Sequence, residues 1–348
     1  EPFYTIVYFN QIRLKRNQCI YYCHQASFPL PLFEKIPFLT MGWAKISIDH
    51  DGSEHRGFIA THSRSLVSLM HLVGVVYILV FCSAVFLMEI YLTLPYMEQY
   101  YQNKSSFKIF LSYYIYISII TNYLLILTHR KKSHFSSDRL TGLPFRAGND
   151  FQQQHDVPLD WTKCKHCNIH VPLRTRHCSV CRVCTLKKDH HCYFTACCIG
   201  FYNQKYFIIF SFYGIVGGTF ALYHLIFFLN SSYAPFLTVQ IYKYFLPYAF
   251  MSVLFGYTSF FELLLVMFLF LHVSSTAAST YYFLWQMFLI FRNQTAYEFL
   301  KRTRTVDMTV SEHLQSVFGP YWLISFLVPV PFLLNKGDGM HWPCKKSM

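Results

Sequence analysis

Apolar residues along this chain gather into long runs separated by polar stretches, and four of these runs have membrane-crossing length, about 20 residues each. The first extends from Leu66 to Met88, the second from Phe107 to Thr128 and the third from Tyr206 to Leu229. The fourth lies inside the stretch Tyr244 to Phe291, which has room for one crossing or two; three would need about 60 residues plus turns. Charge decides between them. Residues 129–205 carry thirteen basic side chains against five acidic ones, and such an excess beside apolar helices marks the cytosolic side. The basic residues after the last run (Arg292, Lys301, Arg302, Arg304) return to that side only if the stretch crosses once. Tyr244 to Gly256 is then left as a luminal or half-inserted segment. By the same count the N-terminal segment, with Lys45, Arg56 and Arg64, is expected to be cytosolic.

Composition agrees with a membrane protein: the chain is 53% hydrophobic, 20% aromatic and only 14% charged, too apolar for a soluble globule. Its 30 Lys and Arg against 17 Asp and Glu read as topology determinants facing anionic lipid, and nucleic-acid binding is not expected. Sequons at Asn103 and Asn230 fall in the expected luminal loops and one at Asn293 falls on the cytosolic side; chance triplets are the simpler reading of each. The first 40 residues show no apolar h-region, so no signal peptide is expected. Cys19 and Cys23 read as free thiols, and Ser133 to Leu159 as a linker.

The chemistry is concentrated in one place. Between Cys164 and Cys198 stand eight of the twelve cysteines, in the order CKHC, HCSVCRVC, DHHC and CC. In a reducing cytosol such spacing belongs to metal ligands rather than disulfides, and zinc takes thiolate and imidazole four at a time. Six cysteines and two histidines fill two such sites. The segment offers eight cysteines with His177, His190 and His191, besides the less regularly spaced His166 and His170, so thiols remain over. A cysteine outside both sites and beside a histidine is a candidate nucleophile.

Cys164-x2-Cys167, Pro172-x-Arg174-x2-His177-Cys178-x2-Cys181-x2-Cys184-x4-Asp189-His190-His191-Cys192-x5-Cys198, with Gly200, Asn203 and Phe207 beyond, resembles the DHHC-type protein S-acyltransferases. The match runs for about 45 residues without a gap, and the layout of four helices around the cysteine-rich loop is similar after residue 65. The resemblance implies an all-α polytopic membrane protein with four transmembrane helices. A cytosolic zinc domain, mostly irregular with β-hairpins, would lie between helices 2 and 3. Residues 1–65, 66–128, 129–205, 206–291 and 292–348 would be the N-terminal segment, helices 1 and 2, the linker with the zinc domain, helices 3 and 4, and the cytosolic tail.

The same resemblance implies that Cys164, Cys167, His177 and Cys184 hold one zinc, and Cys178, Cys181, His191 and Cys198 the other. It makes Cys192 the acyl-accepting thiol, with His190 and Asp189 completing a triad. Strand geometry fits independently: residues two apart share a face, so His190 and Cys192 point one way and His191 the other. A strict strand would turn Asp189 away, and a turn is needed there. Arg174 and Arg176 are expected to meet the phosphates of an acyl-CoA donor and Phe194 to line its site. Thr295-Ala296-Tyr297-Glu298 is similar to the family's Thr-Thr-x-Glu motif, whose first Thr contacts the catalytic Asp. Ser311 to Trp322 resembles its C-terminal motif, with His313 where Asn is usual. Tyr321 to Leu334 is too short to span and is expected to lie in the interface.

Three residues depart from the family pattern: Phe194 replaces Trp, and Ala196 and Cys197 replace two Asn. Lys345 and Lys346 near the end resemble a dilysine retrieval signal, which points to the endoplasmic reticulum or Golgi, and Cys344 is a candidate for self-acylation. The expected activity is transfer of a long-chain fatty acyl group, with palmitoyl the expected one, from acyl-CoA to membrane-proximal cysteines of protein substrates through an acyl-enzyme on Cys192. The alternative is a catalytically silent zinc scaffold of the same fold. A RING-like ubiquitin ligase would need a further Cys-x2-Cys pair, which this chain lacks.

Overall fold

The computed structural model describes residues 64–136, 161–328, 335 and 337–343. The N-terminal segment with Cys19 and Cys23, most of the expected linker, residues 329–334 and the tail with Cys344, Lys345 and Lys346 lie outside the described residues.

Among the described residues four helical rods are long and apolar enough to cross a membrane: Ser65–Tyr101, Ser106–Ser133, Gln204–Ser232 and Phe260–Phe291. The first is longer than its apolar run. Helix α1 (Arg64–Met88) passes through one π-helical turn, Glu89–Thr93, straight into α2 (Leu94–Tyr101), which carries Pro95; the irregular turn stands just before the proline, whose missing N–H interrupts the ladder of a continuous helix. Glu89 is buried at that turn. Its carboxylate accepts from His224 Nδ1 (2.5 Å) and from Thr93 Oγ1 (2.7 Å), because an ionisable group among apolar helices needs a partner.

Helix α4 (Gln204–Ser232) is the centre of the bundle, packed between α3 (Ser106–His129) and α6 (Phe260–Phe291). At Gly218 the α4 backbone lies so close to α6 that a Cβ would stand 2.4 Å from Thr276 Oγ1, the close approach small residues allow between membrane helices. The stretch between α4 and α6 crosses nothing: it forms a 3₁₀ turn, Val239–Tyr244, and the short α5 (Leu246–Leu254). Phe245, Phe250, Met251, Leu254 and Phe255 are exposed there, in keeping with an interfacial segment. Helix α6 opens on a capping box, Ser259 with Glu262.

The cysteine-rich segment caps one end of the bundle as small antiparallel sheets. Strands β1 (His134–Phe135), β5 (Val183–Thr185) and β4 (Arg176–Cys178) form one; β2 (Thr162–Lys163) pairs β3 (His170–Val171), and β6 (His190–Cys192) pairs β7 (Cys197–Ile199). The start of the expected linker belongs to this cap: Ser133 accepts from Leu186 N through its carbonyl and from Tyr202 N through its hydroxyl. Three short helices follow α6: α7 (Ala296–Leu300), α8 (Val310–Phe318) and α9 (Trp322–Leu327). Val317 and Phe318 of α8 bury against Ile208 and Ile290 and tie this region to α4 and α6. Leu323, Ile324 and Leu327 of α9 remain exposed.

Candidate active site

The cap is organised by two side-chain cages. Cys164, Cys167, His177 and Cys184 form one and Cys178, Cys181, His191 and Cys198 the other, each with its four donor atoms within 4.8 Å of one another. Each could hold a metal ion. A tetrahedral zinc with Zn–S near 2.3 Å and Zn–N near 2.0 Å implies sulfur–sulfur edges of about 3.8 Å and sulfur–nitrogen edges of about 3.5 Å. The observed separations fit: 3.7 Å for Cys184–Cys167, 3.6 Å for Cys198–Cys181, and 3.2 Å and 3.7 Å from His191 Nδ1 to Cys181 and Cys178. Neither cage uses Cys192 or Cys197.

The register of β6 on β7 separates metal chemistry from thiol chemistry. His190 lies opposite Ile199, His191 opposite Cys198, and Cys192 opposite Cys197. Since facing residues share a side of the ribbon, His191 and Cys198 go together to the cage, while His190 and Cys192 share the other face. The turn that Asp189 requires is present: Lys187 takes a positive φ of 45°, and Asp189 N then donates to Ile199 O at 2.9 Å.

Asp189 is held from three sides. Its Oδ2 accepts from His190 Nδ1 (2.8 Å) and from Gln286 Nε2 (2.5 Å), and its Oδ1 accepts from Ala296 N (3.2 Å). Gln204 Nε2 at the start of α4 donates in turn to Gln286 Oε1 at 2.9 Å, so two membrane helices and α7 fix one carboxylate. Burial alone would raise its pKa, but His190 and the other donors hold it below the ordinary range. Burial likewise pushes His190 down, yet Asp189 and Cys192 outweigh it and carry the imidazole up to about 10. The Cys192 thiol is buried too, and contact with His190 and Thr195 nevertheless lowers its pKa. A thiol on the same ribbon face as an imidazole that a carboxylate backs is an arrangement suited to nucleophilic attack.

Helix α1 supports the turn that follows Cys192. His71 Nε2 lies 3.0 Å from His191 Nε2, and one helical turn on, a Cβ at Gly74 would stand 2.5 Å from Tyr193 O. Tyr77 then meets the Phe194 ring at 5.9 Å and bonds Ser275 Oγ of α6 at 2.7 Å. From α3, Tyr123 donates to Phe194 O at 2.7 Å. Beneath Phe194 a groove of about 590 Å³ runs between α1 and α6, lined by Val73, Val76, Tyr77, Val80, Phe81 and Phe268 among others.

Two expectations are corrected by this geometry. Arg174 is only 2% exposed and unavailable to a phosphate: its Nε bonds Glu298 Oε1 at 3.1 Å and its Nη2 donates to Asn293 O at 2.8 Å. Thr295 does not reach Asp189. Its hydroxyl caps α7 by accepting from Glu298 N, and the contact to the carboxylate comes from the backbone N–H of Ala296, which needs no particular side chain. Arg176 is partly exposed, its guanidinium 4.5 Å over the Tyr297 ring, and Phe194 is 44% exposed. His313 donates from Nδ1 to Ile290 O at 2.9 Å, filling a buried bonding position; burial and the nearby Lys187 and Arg174 push its pKa down to about 2. Gln286, His71 and Gly74 were missed by the sequence reading. The first two carried a usable signal, as polar side chains inside apolar helices.

These features define a class: a polytopic membrane protein with a thiol–imidazole–carboxylate site on a doubly caged cysteine-rich cap. The model of the DHHC palmitoyltransferase family matches residues 159–303. Among curated proteins, palmitoyltransferase ZDHHC22 of Rattus norvegicus is 30% identical over 195 residues, 53% of this chain and 72% of that protein. The probable palmitoyltransferase ZDHHC24 of Mus musculus is 28% identical over 185 residues, 52% of this chain and 63% of its own length. The probable protein S-acyltransferase 14 of Arabidopsis thaliana is 32% identical over 171 residues, covering 46% and 49%. The chain belongs to the DHHC palmitoyltransferase family, and it spans about three fifths of the length of the ZDHHC24 relative, 63%.

Proposed function

We propose that this chain is a protein S-acyltransferase that moves a long acyl group such as palmitoyl from acyl-CoA to cysteine thiols of proteins at a membrane surface. What supports the reading is the Asp189–His190–Cys192 line: a sulfur outside both cages, on the same ribbon face as a histidine whose Nδ1 bonds a buried carboxylate. Cys192 attacks the thioester carbonyl, CoA leaves with the proton His190 supplies, and the acyl group stays on Cys192. A substrate thiol then gives its proton to His190 and attacks the same carbonyl, releasing the enzyme sulfur. Asp189 keeps the imidazole in the tautomer this requires.

The acyl chain is assigned to the groove between α1 and α6 that opens beside Phe194, where each buried methylene is worth about 0.8 kcal/mol. Arg176 stays available for a CoA phosphate. Zinc is the metal whose preferred geometry the two donor sets match; bound there, it would fix the fold of the hairpins and take no part in acyl transfer. The basic cap belongs in the cytosol together with both termini, in a membrane of the endoplasmic reticulum or Golgi.

The test is direct. Purified protein incubated with labelled palmitoyl-CoA acquires a hydroxylamine-labile adduct, and Cys192→Ser acquires none. Absence of label on the native chain would favour the silent scaffold.

A further inference from the structure

We infer that Cys192 and Cys197 form a redox-active thiol pair, a site that a hydroperoxide closes into a disulfide across the β6–β7 ribbon. The inference rests on the acyltransferase reading for its consequence alone; the chemistry follows from the register. Cys192 and Cys197 are directly opposed. Facing residues of an antiparallel pair have Cα atoms about 4.5 to 5.5 Å apart and side chains on one face, inside the roughly 4.4 to 6.8 Å that a disulfide spans.

Neither sulfur is claimed by a cage. The cage ligands His191 and Cys198 occupy the opposite face of the same ribbon, so closing the pair removes no donor from a cage. The two thiols share one apolar cluster with Ile126, Ile199, Tyr206 and Phe207. They also share one polar neighbour: Cys197 Sγ donates to Thr195 Oγ1 at 3.5 Å, and Thr195 also contacts Cys192. Cys197 Sγ also accepts from Asn203 Nδ2 at 3.8 Å, and closing the pair exchanges these two weak contacts for the S–S bond. At 8% and 2% exposure Cys197 is the more deeply buried of the two, so Cys192 is the sulfur a small peroxide meets first. Family members with Asn at position 197 have no such partner thiol.

The steps balance. The Cys192 thiolate attacks the O–O bond of hydrogen peroxide; an S–O bond forms, the O–O bond breaks, and hydroxide leaves to become water on taking a proton. Cys197 sulfur then attacks the Cys192 sulfur. The S–S bond forms, the S–O bond breaks, and the departing hydroxide leaves as water with the proton of Cys197. Two thiols lose two electrons and one peroxide becomes two waters. The disulfide withdraws the attacking sulfur from acyl transfer, and it also stops the ladder at a reducible state, because a sulfenic acid with no thiol to capture it goes on to sulfinic acid.

The experiment treats the full-length protein in detergent or nanodiscs with hydrogen peroxide, blocks free thiols with N-ethylmaleimide, and maps the bonds by mass spectrometry beside zinc content and palmitoyl labelling. The expected result is a Cys192–Cys197 linkage at unchanged zinc content, with label lost and then restored by dithiothreitol. Cys197→Ala labels like the native chain before treatment, but dithiothreitol does not restore its label afterwards. Finding both thiols free in the oxidised native chain, zinc lost before any linkage, or equal recovery of Cys197→Ala would each overturn the inference. A chain that forms the bond but never labels sinks the acyltransferase reading and leaves the thiol pair standing.

Discussion

The two cages have the same donor set, three sulfurs and one Nδ1, yet they stand in different surroundings. Behind His177 of the first is His166, its ring stacked at 4.6 Å, and the cage edges a small core of Phe135, Trp161, Val171 and Leu173. Behind His191 of the second is His71 of a membrane helix, and its ligands flank the ribbon that carries Cys192. Identical donor sets therefore stand in two settings: one cage closes the cap on itself, and the other ties the Cys192 ribbon to the bundle. Metal affinity alone would not tell them apart.

The largest expected effect comes from breaking each cage in turn. Cys181→Ala should abolish the Cys192 adduct, while Cys164→Ala, with the same loss of one metal per chain, should leave about a tenth of the labelling rate. Metal analysis beside labelling checks both, and equal losses would erase the distinction. Next is Asp189→Asn, expected to slow labelling about 10³-fold. The pH profile of iodoacetamide alkylation gives the sign. In the native chain Asp189 and His190 raise the imidazole pKa and lower that of the Cys192 thiol, so the rise of the rate with pH should come below the ordinary thiol range. In Asp189→Asn the rate should climb with pH near the ordinary thiol value, about 8.5.

A smaller change is expected at the α1 support. Gly74→Ala places a Cβ against Tyr193 O and should cost about 10²-fold in labelling through misplacement of the turn, with both metals retained. Smallest is His71→Ala, which removes the group behind His191 Nε2 and should speed loss of one metal to a chelator about 10-fold. His71→Gln, which restores a hydrogen-bonding side chain, should recover most of it. A uniform effect on both metals would place His71 in general helix packing instead.

The parts of this site written in local spacing were legible in the sequence, and the parts made by distant helices were not. The eight cage donors lie within 35 residues, and each quartet assigned by resemblance is a set the fold brings together. The period of two placed His190 with Cys192. The partners of Asp189 were hidden, because Gln286 and Ala296 reach it from 97 and 107 positions away. Arg174 and Thr295 were misread for a common reason: each has a nearer obligation to Glu298, one as its ion pair and one as its cap. Composition shows that a residue is charged or polar, but only packing shows which neighbour has first claim on it.

His177 and Cys178 are consecutive in β4, yet they serve different cages. The cap is therefore no tandem of two fingers that could be cut between modules, transplanted singly or shortened from one end. The first quartet is finished by Cys184, after the second has begun, and the second waits for Cys198. A full donor set for a second metal ion would exist only once Cys198 has left the ribosome, a few residues before the third membrane rod begins at Gln204.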